Sequence, residues 1–252
     1  MQSWRGMFTI EDRNRVRDFV LDLAAADPRI SAAAVVGSLA LGEGDRWSDL
    51  DLTFAVAEPT PLSEVLEDWT LKLVQAFEAV KLFDLPSGTS IYRVFLLPGC
   101  LQFDLSFTPA GSFGASGPKF KLLFGSAVAK PFPKPAPATE LFGYAVHHAL
   151  RARFCIERGR YWQAEYWISA VRDYALTLAC LRRGLPAANG RGYDTLPAEV
   201  LELFAGALVK SFEPTELQRA LNCVIQGLLT EVEEVQEIAN KVKPQLHELM
   251  VI

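Results

Sequence analysis

Cysteine is scarce in this chain, and none of it is paired in spacing. Cys100, Cys155, Cys180 and Cys223 lie scattered through 252 residues, which excludes a disulfide framework and reads as small apolar residues in a reducing cytoplasm. Long apolar runs are missing too. No stretch reaches membrane-spanning length, and Met1-Gln2-Ser3-Trp4-Arg5 does not open as a signal peptide, so the expectation is a cytoplasmic protein without a membrane partner. A basic excess is also lacking. Against 30 acidic residues stand 25 lysines and arginines, a net charge of −5 that argues against a nucleic-acid partner and suits a small cationic or neutral one better. What the chain does have is apolar residues. They make up 50% of it, ample for one large core or two small ones.

Three short segments carry the chemistry. Val35-Val36-Gly37-Ser38 reads as a strand ending in a Gly-Ser turn, and Trp47-Ser48-Asp49-Leu50-Asp51-Leu52 as a strand bearing two carboxylates. Phe103-Asp104-Leu105 sets one more acid between apolar neighbours. Side chains alternate along a strand, so Asp49 and Asp51 share one side while Leu50 and Leu52 enter the core. Neighbouring carboxylates repel and gain nothing from packing. A divalent cation over them removes the conflict, and hard oxygen ligands suit Mg²⁺ or Mn²⁺. The Gly-Ser turn offers close-approach backbone and a hydroxyl, which a polyphosphate needs. Taken singly, each segment has a duller reading: turn acids, a solvated strand acid, or Ser38 as a helix cap. All three in order, each on an apolar strand, read as a metal–nucleoside triphosphate site.

This constellation resembles the nucleotidyltransferase superfamily that includes DNA polymerase beta, over roughly the first half of the chain. The resemblance implies Gly37 and Ser38 at the terminal phosphates of ATP or another nucleoside triphosphate, and Asp49 and Asp51 on two Mg²⁺ ions about 3.5–4 Å apart. Asp104 would ligate the metal nearer the acceptor or take the proton from its hydroxyl; the family uses its third acid in either way. The product would be a nucleoside monophosphate on the acceptor, with pyrophosphate released. The resemblance also implies a single-turn helix between Ser38 and Asp49, where Gly42 falls. Many relatives carry a basic residue in that helix; this chain has Leu41, so the triphosphate must find its cations elsewhere.

Periodicity gives two halves of different texture. Thr9 is the expected N-cap of a helix over 10–26, ended by Asp27-Pro28, and Ile30 to Val36 is a strand. Thr60-Pro61 should open a helix running to about Val80, with apolar positions at Leu62, Val65, Leu66, Trp69, Leu73 and Phe77. Strands are expected over 81–85, 90–97 and 100–107, separated by Pro86-Ser87-Gly88 and Pro98-Gly99. Residues 109–118, rich in small residues, read as a mobile loop, 119–124 as a last strand, and 130–137 as a proline-punctuated linker. Helices are expected over 138–158, 161–183, 197–211 and 214–241, with a short one over 244–250. The prediction is an α/β catalytic domain with a mixed sheet over 1–130, followed by an all-α helical bundle over 138–252.

Other polar groups read more weakly. The adjacent His147 and His148 project to different sides of a helix, which disfavours a shared metal. Lys119 and Lys121 can reach phosphates or serve as strand-edge lysines, and the edge reading is favoured. Arg160, Glu165 and Arg172 among Tyr161, Trp162, Tyr166 and Trp167 suit a wall for a nucleobase or sugar, though a bundle core with a salt-bridged rim is commoner. In some members of the superfamily an acid of the second domain is the general base, which here would be Glu140, Glu157 or Glu165. Size and the helical partner are similar to antibiotic-resistance nucleotidyltransferases acting on aminoglycosides or lincosamides. That resemblance implies a small hydroxylated acceptor, and a homodimer where the active site is shared between subunits. Two alternatives stay open: transfer to a protein hydroxyl, as in antitoxin-type relatives, and a non-catalytic nucleotide-binding module.

Overall fold

The computed structural model describes residues 6–251, in two compact units, Met1–Pro133 and Lys134–Ile252. The Met1 to Arg5 segment considered for a leader lies outside the described residues. The first unit runs α1 (Ile10–Ala26), β1 (Ile30–Val36), a 3₁₀ turn (Gly37–Leu41), β2 (Leu50–Val56), α2 (Leu62–Phe77), β3 (Val80–Ser87), β4 (Ser90–Leu97), β5 (Leu101–Pro109) and β6 (Phe120–Phe124). These build a mixed six-stranded sheet in the order β3-β4-β5-β2-β1-β6, in which β2 and β5 run parallel and the other pairs antiparallel. The expected fold class, a mixed-sheet α/β unit followed by a helical unit, is the one found.

Local chemistry explains most boundaries. Thr9 caps α1 through a reciprocal box: its Oγ1 accepts from the Asp12 amide at 3.1 Å and the Asp12 carboxylate accepts from the Thr9 amide at 3.0 Å. At α2 the expectation fails in detail. Pro61, not Thr60, holds the cap position, without a side-chain bond, and the helix stops at Phe77 because Glu78 turns left-handed at φ 56°. One sheet face is sealed by α1 and α2. Trp69 sits edge-on to Phe54 and to Phe107, each at 5.0 Å between centroids, and its indole N–H donates to Asp27 at 2.8 Å. Leu50, Leu52, Phe103 and Leu105 join that core, each worth about 1.5–3 kcal/mol in burial. The opposite face is lined by small side chains. Ala32, Ala34 and Ala55 pack under Phe113, which is 1% exposed. The 109–118 segment is therefore pinned at Phe113, whose carbonyl accepts from the Val128 amide at 2.7 Å, rather than hanging free as its composition suggested.

The outer edge is unusual. Every residue of β3 is exposed, including Val80, Leu82, Phe83 and Leu85, and its pairing with β4 is bulged between Lys81 and Phe83. Its anchor is electrostatic. The buried Arg93 on β4 donates to both oxygens of Asp84 on β3, at 2.7 and 2.8 Å, and to Glu67 and Thr70 on α2, at 2.9 and 2.8 Å.

The second unit comprises α3 (Ala138–Glu157), α4 (Tyr161–Arg182), α5 (Ala198–Ala205), α6 (Pro214–Leu228) and α7 (Gln236–Glu248). Ala145, Ala149 and Ala152 on α3, with Ala164 and Ala175 on α4, let these two helices pack closely. The helix expected over 214–241 is interrupted. After Leu228 the chain turns so that Glu231, 4% exposed, can pair with Arg182 and Arg183, and the helix restarts at Gln236. Pro244 falls inside α7 instead of opening a separate short helix. The helix expected over 197–211 ends at Ala205.

Arg93 pulls the Asp84 carboxyl down from 3.8 to about 2. A depressed carboxylate pKa contributes stability that is complete above the unfolded value and is lost as pH falls through the folded one. Asp84→Asn is expected to lower unfolding free energy at pH 7 by about 1–3 kcal/mol, leaving Arg93 buried with fewer partners. In denaturant titrations, the gap between parent and variant should narrow steadily as pH falls from 4 through about 2; a gap undiminished at pH 2 would refute this account.

Candidate functional site

The acids lie on the sheet face away from α1 and α2. Because Leu50, Leu52 and Phe54 of β2 and Phe103, Leu105 and Phe107 of β5 are buried among the helices, strand alternation turns Asp51 and Asp104 to the other side. The parallel register pairs Asp51 with Asp104 directly. Burial pushes the Asp104 carboxyl above its ordinary range; the Gln102 amide, donating to its Oδ1 at 3.0 Å, opposes the shift, and the Asp49 charge adds to it. The three sequence-predicted acids therefore come together in part. Asp49 is not on the strand, as expected from its spacing, but is the residue just before β2 begins. Among the described residues no three His, Cys, Asp or Glu side chains converge into a ready-made metal cage.

The Gly-Ser turn closes onto the same face. Gly37 has φ 72°, a left-handed conformation natural to glycine, and a Cβ there would collide with Oδ2 of Asp51. Ser38 follows in the 3₁₀ turn Gly37–Leu41, the single turn anticipated between it and Asp49, and Gly42 ends it at φ 73°. The Gly37 amide donates to the Lys119 carbonyl at 3.2 Å, so β6 and its approach hold the turn in place. The Lys119 ammonium is paired with Glu43 at 2.6 Å, and Leu41 is exposed. The carboxylates of Asp51 and Asp104 stand in neighbouring register, with the Asp49 charge felt at Asp104; hard oxygens of this kind are the donors a divalent cation takes.

Sequence reasoning missed Arg13. This α1 residue is 4% exposed, and its guanidinium donates at 2.7 Å to the carbonyls of both Asp45 and Ser48. Between them the chain makes a tight turn: the Asp45 carboxylate accepts from the Trp47 amide at 2.8 Å and from the Ser48 hydroxyl at 3.0 Å. Arg46 lies over the Trp47 ring at 4.3 Å and the Phe8 ring at 5.2 Å. Arg13 thus fixes the backbone immediately before Asp49. Its spacing within α1 shows only a polar residue among apolar ones, and nothing local signals the partners 32 and 35 residues away.

In the helical unit, the glutamates considered as bases are engaged or terminal. Glu140 lies in the first turn of α3, Glu157 pairs with Arg153 at 2.7 Å, and Glu165 accepts from Ser169 at 2.7 Å. Arg172 pairs with its neighbour Asp173, and the exposed Trp162 lies tilted against Phe212 at 4.3 Å between centroids. The aromatic cluster centres instead on His148, with Trp167 at 4.7 Å and Tyr174 at 5.3 Å, so His148 packs within it while His147 is exposed.

No family model and no curated protein matches the chain. Eighteen chains of solved structures match it in fold. One is the crystal structure of an aminoglycoside 6-adenyltransferase from Bacillus subtilis, 13% identical at a TM-score of 0.40, the match covering 94% of this chain and 97% of that one. The roles of residues here rest on their own geometry.

Arg13→Met is expected to cost about 1–3 kcal/mol, since two carbonyls lose charge-assisted bonds. Amide hydrogen exchange of Trp47 and Ser48 should speed up more than that of the β2 core amides. Uniform acceleration across the unit would mean that Arg13 supports the fold generally and does not hold this loop.

Proposed function

We propose that this protein is a Mg²⁺-dependent nucleotidyltransferase moving a nucleoside monophosphate from a nucleoside triphosphate, ATP in the first instance, to a hydroxyl of a small molecule. The observation that carries this reading is the pairing of Asp51 with Asp104 on adjacent parallel strands, beside a glycine turn that presses against Asp51. Asp49 and Asp51 would hold the metal ions, which when bound neutralise phosphate charge and favour ionisation of the acceptor hydroxyl. Gly37 and Ser38 present backbone and hydroxyl to the terminal phosphates, and Lys119, bonded through its carbonyl to Gly37, is a cation beside that turn that would exchange Glu43 for a phosphate. The acceptor oxygen attacks the α-phosphorus in line. A bond forms between them, the α–β bridging bond breaks, and pyrophosphate leaves. Asp104 takes the hydroxyl proton; burial makes its carboxylate more basic, which suits that role.

The acceptors to screen first are hydroxylated antibiotics of the aminoglycoside and lincosamide classes, the former polycationic and the latter more apolar. Calorimetric titration with non-hydrolysable ATP and GTP analogues should show binding that requires Mg²⁺. Asp51→Asn should lose that binding, and with it all pyrophosphate release, while its melting temperature stays within a few degrees of the parent. Retained turnover in the variant would sink the assignment.

A further inference from the structure

A small cavity of about 120 Å³ opens on the same sheet face. Thr53 follows Asp51 by two residues on β2, and Ser106 follows Asp104 by two on β5, so strand alternation sets hydroxyls about 6.5–7 Å beyond the acids. Ser90 and Thr108 share a hydroxyl–hydroxyl bond of 2.7 Å at its wall, and Tyr92, which lies close enough to feel the charge of Asp51, lines it too. Lys130 and Lys119 contribute the charged part of the lining, the Lys119 ammonium being held at 2.6 Å by Glu43 outside the cavity, and no acid lines the cavity itself. The cover is built. Phe113 is buried against the alanines of this face, the Val128 amide is bonded to its carbonyl, and Gly114 passes so close to the Val128 carbonyl that a side chain there would strike it.

This lining is the wrong choice for mere packing. Ser106 is 1% exposed and Thr108 4%, in a strand whose other face is Phe103, Leu105 and Phe107. Thr108 recovers part of the cost of burial through its bond to Ser90, whereas burying the Ser106 hydroxyl costs free energy that alanine would avoid. The Thr53 and Ser106 hydroxyls, the one proton left over from the Ser90–Thr108 pair, lysine and glycine backbone together are the chemistry of an oxygen-rich anion. A polycation finds nothing here to pair with.

We propose that this cavity is an oxyanion subsite, taking a phosphate or carboxylate group of a substrate whose reacting end lies at Asp51 and Asp104. Its place in catalysis rests on the nucleotidyltransferase reading above; its ability to bind an anion does not. With the terminal phosphates at Gly37 and Ser38, which do not line the cavity, the group expected in it is an acidic one on the acceptor; a terminal phosphate shares the chemistry and is the other outcome of the test.

The test is calorimetric titration of the whole protein with inorganic phosphate, in chelator and without metal, for the parent, Thr108→Val, Lys130→Met and Asp51→Asn. Saturable binding is expected in the parent, weakened at least about tenfold in Thr108→Val and Lys130→Met, and kept in Asp51→Asn. Thr108→Val conserves shape, and melting curves check that each variant is folded. No saturable binding, or equal affinity in the parent and both folded cavity variants, overturns the proposal. Phosphate binding that survives while Mg²⁺-dependent nucleotide binding is absent would sink the catalytic reading and leave the subsite standing. Should Lys130→Met weaken the triphosphate analogue but not the nucleoside monophosphate, the source is the terminal phosphate. Should it leave the triphosphate untouched and abolish binding of a sugar phosphate, the source is the acceptor.

Discussion

The parallel pairing of β2 with β5 is the constraint on which the rest of the first unit depends. Six apolar side chains, Leu50, Leu52 and Phe54 on one strand and Phe103, Leu105 and Phe107 on the other, are fixed against α1 and α2 by burial. A slip of one residue would turn every one of them to the opposite face and drive two carboxylates into the core. Burial of those six is worth about 9–18 kcal/mol, whereas two like charges 4 Å apart near a surface cost about 4 kcal/mol. Core packing therefore wins, and it holds Asp51 and Asp104 together against their own repulsion. Parallel neighbours also need a long crossover. Here the crossover is α2 followed by the β3–β4 hairpin, which extends the sheet outward before β5 returns beside β2.

The loops around the acids are held from outside the strands. Arg13 reaches from α1 to the turn before Asp49, and Lys119 reaches from the approach to β6 to Gly37. Both tethers end on backbone carbonyls or amides, so they set main-chain position whatever side chains the turns carry. The polar face is thus carried by a rigid apolar layer below and fastened at both rims, an arrangement that favours geometric precision over adaptability.

Much of this was legible in the sequence. Alternation around Leu50 to Leu52 and Phe103 to Leu105 turned the acids away from the core, and Thr9 as an N-cap announced the start of α1. What escaped has a common cause. Arg13 with its carbonyl partners, Arg93 with Asp84 and Glu67, and Glu231 with Arg182 and Arg183 are all contacts across elements, and periodicity along one element cannot report them. The same blindness made 214–241 look continuous, since the reason to break there is an ion pair with another helix. The hydroxyl-lined cavity was hidden for a related reason: Thr53, Ser106 and Thr108 look like ordinary strand residues until β2 and β5 lie side by side.

The exposed strand at the sheet's far edge carries a consequence for the protein's behaviour at high concentration. Val80, Phe83 and Leu85 give β3 the composition of a segment that recruits copies of itself. Its bulge between Lys81 and Phe83 breaks the even row of outward amides and carbonyls, and Pro86 has no amide to offer. The single irregularity in an otherwise continuous pairing with β4 works against further growth of the sheet at this edge.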